Sequence, residues 1–80
     1  MSIKYQEALA YYQSMGMPFN VGLTYQRLGF TAEGLGDAVQ AREYYEAALV
    51  IFDRIGSPSS ANVRANLAAL DEEEPADDTS

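Results

Sequence analysis

The chain has 80 residues, a formal net charge of −7, and neither cysteine nor histidine. A chain this short makes one small domain or a fragment of a larger one, marginal alone and helped by a staple or a partner. The missing residue types exclude a disulfide and a thiolate site, and they remove the commonest general base and the commonest transition-metal ligand.

The charge is unevenly placed. Residues 71–80 (DEEEPADDTS) hold six acidic side chains and no basic one, whereas residues 1–70 hold six acidic and five basic, a balance of −1. There is no basic stripe of the kind that tracks a nucleic-acid backbone, so no nucleic-acid partner is expected. No apolar run reaches the roughly 18 residues that span a bilayer, so no membrane role is expected. Ile3–Tyr12 mixes Lys, Gln and Glu among its apolar residues, which is not the layout of a signal peptide, and the default expectation is cytoplasmic.

In chain order, four helices are predicted. Residues 3–15 place Ile3, Ala8, Leu9, Tyr12 and Met15 near a 3.6-residue period, and Gly16 stops them. Pro18 suits the first turn of a second helix over 18–34, where Val21, Leu23, Tyr25, Leu28, Phe30 and Ala32 make a broad apolar face. Gly22 and Gly29 inside that helix each cost about 1 kcal/mol relative to Ala, which implies close approach of another helix. Gly34-Leu35-Gly36 makes a tight turn. Asp37 reads as the N-cap of a third helix over 38–55, with Gln40 as its capping-box partner. A wide stripe from Ala41 to Ile55 is apolar, and Arg42 and Glu46 stand i,i+4 on the other face. Gly56 stops this helix. Ser57 and Pro58 open a fourth over 58–72, with Val63, Leu67 and Leu70 apolar, which stops by Pro75. The expected organisation is a helical domain over 1–74 and a disordered acidic tail over 75–80.

An internal repeat links these elements. A shift of 40 aligns Tyr5 with Tyr45, Ala8 with Ala48, Leu9 with Leu49, Gly16 with Gly56 and Pro18 with Pro58. Similar pairs are Tyr12/Phe52, Met15/Ile55 and Leu23/Val63. The matches fall on core positions, a helix stop and a helix start, which are the positions that a structural repeat preserves.

The set Tyr25, Leu28-Gly29, Gly36-Asp37, Ala41, Tyr45 and Ala48-Leu49 resembles the tetratricopeptide repeat (TPR), in the long variety found in kinesin light chains and bacterial signal-transduction ATPases. The resemblance implies an all-α fold of antiparallel helix pairs, a TPR-like α-solenoid of about four helices. Residues 22–56 are similar to a whole repeat, 3–16 to the second helix of a preceding one and 58–74 to the first helix of a following one, with Ala68-Ala69 where Leu28-Gly29 stood. Two readings of this phase stay open. The chain is a piece of a longer array, or its open ends pair with another copy. The residues of that second contact would be Tyr5, Leu9, Tyr12 and Leu67.

The resemblance also implies a partner-binding groove lined by Leu23, Gln26, Arg27, Phe30 and Glu33, and by Val63, Asn66, Leu67 and Leu70 in the last helix. For the apolar members the alternative is ordinary core. Gln26, Arg27 and Asn66 are the better groove candidates, because a polar side chain on an inner face needs a partner. A carboxylate clamp of the kind one branch of the family uses is not expected, since Leu23 and Val63 stand where it has cations. Among the tyrosines, Tyr11 and Tyr44 read as surface and Tyr5, Tyr12, Tyr25 and Tyr45 as packing. The acidic run lacks the Gly-turn spacing of a calcium loop and reads as a solvated tail. Ser57, Ser59 and Ser60 have no base to make a nucleophile of them.

The expectation is therefore a non-catalytic interaction module that takes a peptide or helical protein, with no cofactor and no metal. The alternatives are a self-assembling scaffold and a regulatory subunit or sensor.

Overall fold

The computed structural model describes residues 2–73, with side chains from residue 6 to residue 72. Four α-helices make up the described chain: α1 (Ser2–Ser14), α2 (Pro18–Gly34), α3 (Ala38–Arg54) and α4 (Ser59–Glu73). No strand occurs among the described residues. The fold is all-α, and the helix ends lie within about a residue of those expected. The side chain of Tyr5 and the tail over 75–80 lie outside the described residues.

Three glycines set the turns. Gly16, Gly36 and Gly56 have φ of 66°, 80° and 68°, the left-handed region where a Cβ is penalised. Each closes the same hydrogen-bonded motif. Around Gly36, the Gly36 N–H donates to the Glu33 carbonyl at 3.0 Å and the Asp37 N–H to the Ala32 carbonyl at 2.9 Å. Gly16/Met17 and Gly56/Ser57 repeat the pattern against Gln13/Tyr12 and Asp53/Phe52. The three turns recur every 20 residues, half of the 40-residue shift. The chain therefore alternates two kinds of helix, α1 matching α3 and α2 matching α4.

Turns this short make consecutive helices antiparallel, and the packed pairs are α1 with α2, α2 with α3 and α3 with α4. Two caps differ from expectation. The Asp37 carboxylate accepts from the Gln40 N–H at 3.1 Å, but Gln40 Nε2 donates to Glu43 Oε1 at 3.2 Å. Only half of a capping box forms, because the Asp37 N–H is already committed to the turn. Ser57 Oγ accepts from the Ser59 N–H at 3.1 Å, so α4 starts at Ser59, one residue later than expected.

The core sits on α3. Ala41, Tyr45, Ala48 and Phe52 are fully buried there, joined by Ala32 from α2 and by Val63 and Leu70 from α4. The glycines of α2 make this possible. A Cβ on Gly29 would lie 2.5 Å from Tyr45 Cε1, and one on Gly22 would lie 2.7 Å from Phe52 Cε1. The expected reason for these glycines was a close helix; the specific answer is two aromatic rings seven residues apart on α3, each seated in a glycine notch of α2. Phe19 and Phe30 pack against these rings at centroid distances of 5.6 and 5.8 Å. The Tyr45 hydroxyl donates to Glu33 Oε1 at 2.7 Å, so its polar end is satisfied inside the core.

Arg42 does not stand apart on a solvent face. It reaches α4 and pairs with Asp71 at 2.6 Å. Tyr44 is likewise half-buried against the core, 6.3 Å from the Tyr25 ring, and so is not the surface residue expected of it. Tyr11 is, at 58% exposed.

Candidate functional site

The face shared by α2 and α4 is built from two equivalent stripes. Leu23, Gln26, Arg27 and Phe30 run at i, i+3, i+4, i+7 on α2, and Val63, Asn66, Leu67 and Leu70 occupy the same places 40 residues later on α4. At their centre Gln26 Nε2 donates to Asn66 Oδ1 at 2.9 Å. This bond joins repeat-equivalent positions of the two helices, each of which packs on α3. It leaves the Gln26 carbonyl and the Asn66 amide hydrogens as an acceptor and donors on one face.

The stripes differ in what surrounds that pair. Arg27 and Phe30 are exposed, Phe30 by 51%, and Leu23 and Glu33 are half-buried. Leu67 is half-buried against the core. Val63 and Leu70 are 0% and 1% exposed and seal α4 against α3, so these two groove candidates are core residues with no surface to present. Glu33 also has a structural task, accepting from the Tyr45 hydroxyl. The structure thus brings together Gln26, Arg27, Phe30 and Asn66 as an accessible group, with Leu23 and Leu67 beneath.

The candidate self-contact residues lie on α1 and α4. Leu9 and Tyr12 are half-buried, with Tyr11 edge-on to Tyr12 at 5.6 Å. No side chain of α1 is buried among those described.

A second surface feature was not anticipated from the sequence. An open cleft of about 250 Å³ lies where the α1–α2 turn meets the end of α3, with Val21, Ile51 and Ile55 among its walls and Arg54 beside them. It combines residues from three helices at unrelated spacings, so no periodicity in the chain announces it. Met17 and Ile55, 38% and 39% accessible, stand beside the glycine turns and line it.

Among the described residues no three metal-ligating side chains gather, and no helix is long and apolar enough to cross a membrane. No family model matches the chain, and neither does any curated protein or solved structure.

Proposed function

We propose that this chain is a TPR-like, non-catalytic interaction module that takes an extended or helical peptide along the α2/α4 face. The observation that carries the reading is the Gln26–Asn66 bond between positions 40 residues apart. It gives α2 and α4 a shared polar centre, beside the exposed Arg27 and Phe30. Arginine and aromatic side chains are enriched at protein interfaces, where they supply most of the binding energy. Pooled peptides displayed on an array and probed with the labelled chain test this. Peptides bound by the wild type are lost with Arg27→Ala and Phe30→Ala together. Binding that survives both substitutions refutes the site, and a turnover abolished by a point substitution refutes the non-catalytic assignment.

One observation favours self-association as a second reading. The described part of α1 buries no side chain, although its positions match those of α3, which is buried deeply. The contact it supports is α1 against α1 across a two-fold axis. Head-to-tail continuation through α4 is less well matched, because Ala69 stands where Gly29 admits a ring, and its Cβ would occupy the notch. Light scattering at two concentrations about tenfold apart distinguishes a dimer from a monomer. An oligomer unaffected by Leu9→Lys excludes the α1 contact.

A further inference from the structure

The cleft at the α1–α2 turn supports a binding site separate from the α2/α4 face. Its lining is mostly apolar, with the buried Val21 beside Tyr12, Met17, Ile51 and Ile55, and with Gln13 and Arg54 as its polar members. At about 250 Å³ it falls just below the 300–1,000 Å³ usual for small-molecule sites, and it is open to solvent. A cleft of that size suits one large apolar side chain delivered by a longer molecule. Met17, with its unbranched thioether, adapts to the shape of what enters.

Charge defines the rest of the ligand. Among the described residues no carboxylate lines this cleft and one guanidinium does. That residue, Arg54, is exposed and makes no ion pair among the described residues. Its neighbour Asp53 is occupied by Arg64 at 2.9 Å. The first turn of α2 also borders the cleft and has no side-chain cap, so the positive pole of that helix adds to the same field. An apolar slot beside an arginine that pairs with no carboxylate among the described residues is complementary to an apolar side chain carried next to a carboxylate.

We infer that the Val21–Ile51–Ile55 cleft binds a peptide segment in which a leucine-sized apolar residue is adjacent to an Asp or Glu. The apolar side chain fills the cleft and the carboxylate accepts from the Arg54 guanidinium. The site is independent of the α2/α4 face: Arg27 and Phe30 play no part in it.

Titration of the full-length, isotope-labelled chain by nuclear magnetic resonance tests the inference with three probes. Acetyl-Ala-Leu-Asp-Ala-amide is expected to shift the signals of Val21, Ile51 and Ile55 with a millimolar Kd. Acetyl-Ala-Leu-Asn-Ala-amide, which lacks only the charge, binds about tenfold more weakly, the worth of one charge-assisted hydrogen bond. Acetyl-Ala-Ser-Asp-Ala-amide, which lacks the apolar side chain, also binds about tenfold more weakly. With Arg54→Gln, which removes no contact that holds the fold, the Leu-Asp and Leu-Asn probes bind equally while the helical circular dichroism is unchanged. The inference is overturned by equal binding of the Leu-Asp and Leu-Asn probes to the wild type, by no shift at 10-fold excess over a millimolar chain, or by shifts confined to Gln26 and Asn66. The last result would leave the α2/α4 face standing without the cleft.

Discussion

Helices α1 and α3 hold matching residues at matching places, and the molecule treats them differently. Ala8, Leu9 and Tyr12 in α1 correspond to Ala48, Leu49 and Phe52 in α3. Ala48 and Phe52 are fully buried, whereas Ala8 and Tyr12 are only half-buried; Leu9 and Leu49 are half-buried alike. What separates them is the neighbour. α3 lies between α2, with its two glycine notches, and α4, which closes the other side with Val63 and Leu70. Among the described residues α1 packs chiefly on α2. The repeat specifies a helix and its apolar stripe; burial is conferred by the helices on either side, as in any array whose units hide their faces against one another.

This contrast is broken most strongly by truncating the paired rings. Phe52→Ala is expected to cost about 3–5 kcal/mol, the usual range for removing a buried aromatic side chain. That is comparable with the whole stability of a domain this small, so the variant unfolds. Tyr12→Ala, at the equivalent place on α1, costs only about 1 kcal/mol. Urea titrations followed by circular dichroism measure both. Similar losses at the two positions would mean that α1 is as well enclosed as α3.

The notches come next. Gly29→Ala places a methyl carbon 2.5 Å from the Tyr45 ring. Tyr45 is 0% exposed and tethered through its hydroxyl to Glu33, so the ring has nowhere to swing. Overpacking of about 1–3 kcal/mol is expected to outweigh the gain of about 1 kcal/mol from replacing a helical glycine by alanine. Gly34→Ala is the control: it meets nothing within 4 Å and is expected to stabilise or leave the fold unchanged. A stabilised Gly29→Ala would show that α2 and α3 separate easily enough to admit the methyl group.

Tyr45→Phe isolates the polar end of the same ring. The ring stays in its notch, but Glu33 loses a donor at 2.7 Å. A loss of about 1–2 kcal/mol is expected, because the carboxylate is half-buried and water replaces part of the bond. A smaller loss than for Gly29→Ala in the same titration would rank shape above hydrogen bonding at this contact.

Most of this architecture was legible in the chain, and its limits have physical causes. The glycine stops, the proline and aspartate starts and the 3.6-residue stripes gave four helices, because each is a local signal. The 40-residue shift gave their pairing. Partner identity across an interface is not local. Gly22 and Gly29 announced a close approach, but nothing in α2 named Phe52 and Tyr45 as the groups that approach. The candidate face was legible to the same depth. Its stripe positions follow from helical spacing, and the Gln26–Asn66 bond joins two of them. Periodicity could not tell Val63 and Leu70 from Leu23 and Phe30, since the two pairs hold equivalent places in the two stripes; packing of α4 against α3 buries the first pair. The cleft beside Arg54 left no trace, because its walls come from three helices at a turn.

The smallest effect expected concerns the ion pairs that lash α4 to α3. Arg64 and Asp53 meet at 2.9 Å with side chains 57% and 46% exposed, and Arg42 and Asp71 meet with 31% and 61%. Exposed pairs are worth about 0–1 kcal/mol, since water screens them and two long side chains lose freedom. Arg64→Gln is therefore expected to lower the unfolding free energy from urea titration by about 0.5 kcal/mol or less, and that small loss should shrink further in 1 M salt. Arg42 is the better enclosed of the two cations, so Arg42→Gln should cost more than Arg64→Gln at low salt. If Arg64→Gln instead cost as much as Tyr45→Phe, α4 would be held by charge rather than by Val63 and Leu70, and its enclosure of α3 would depend on ionic strength.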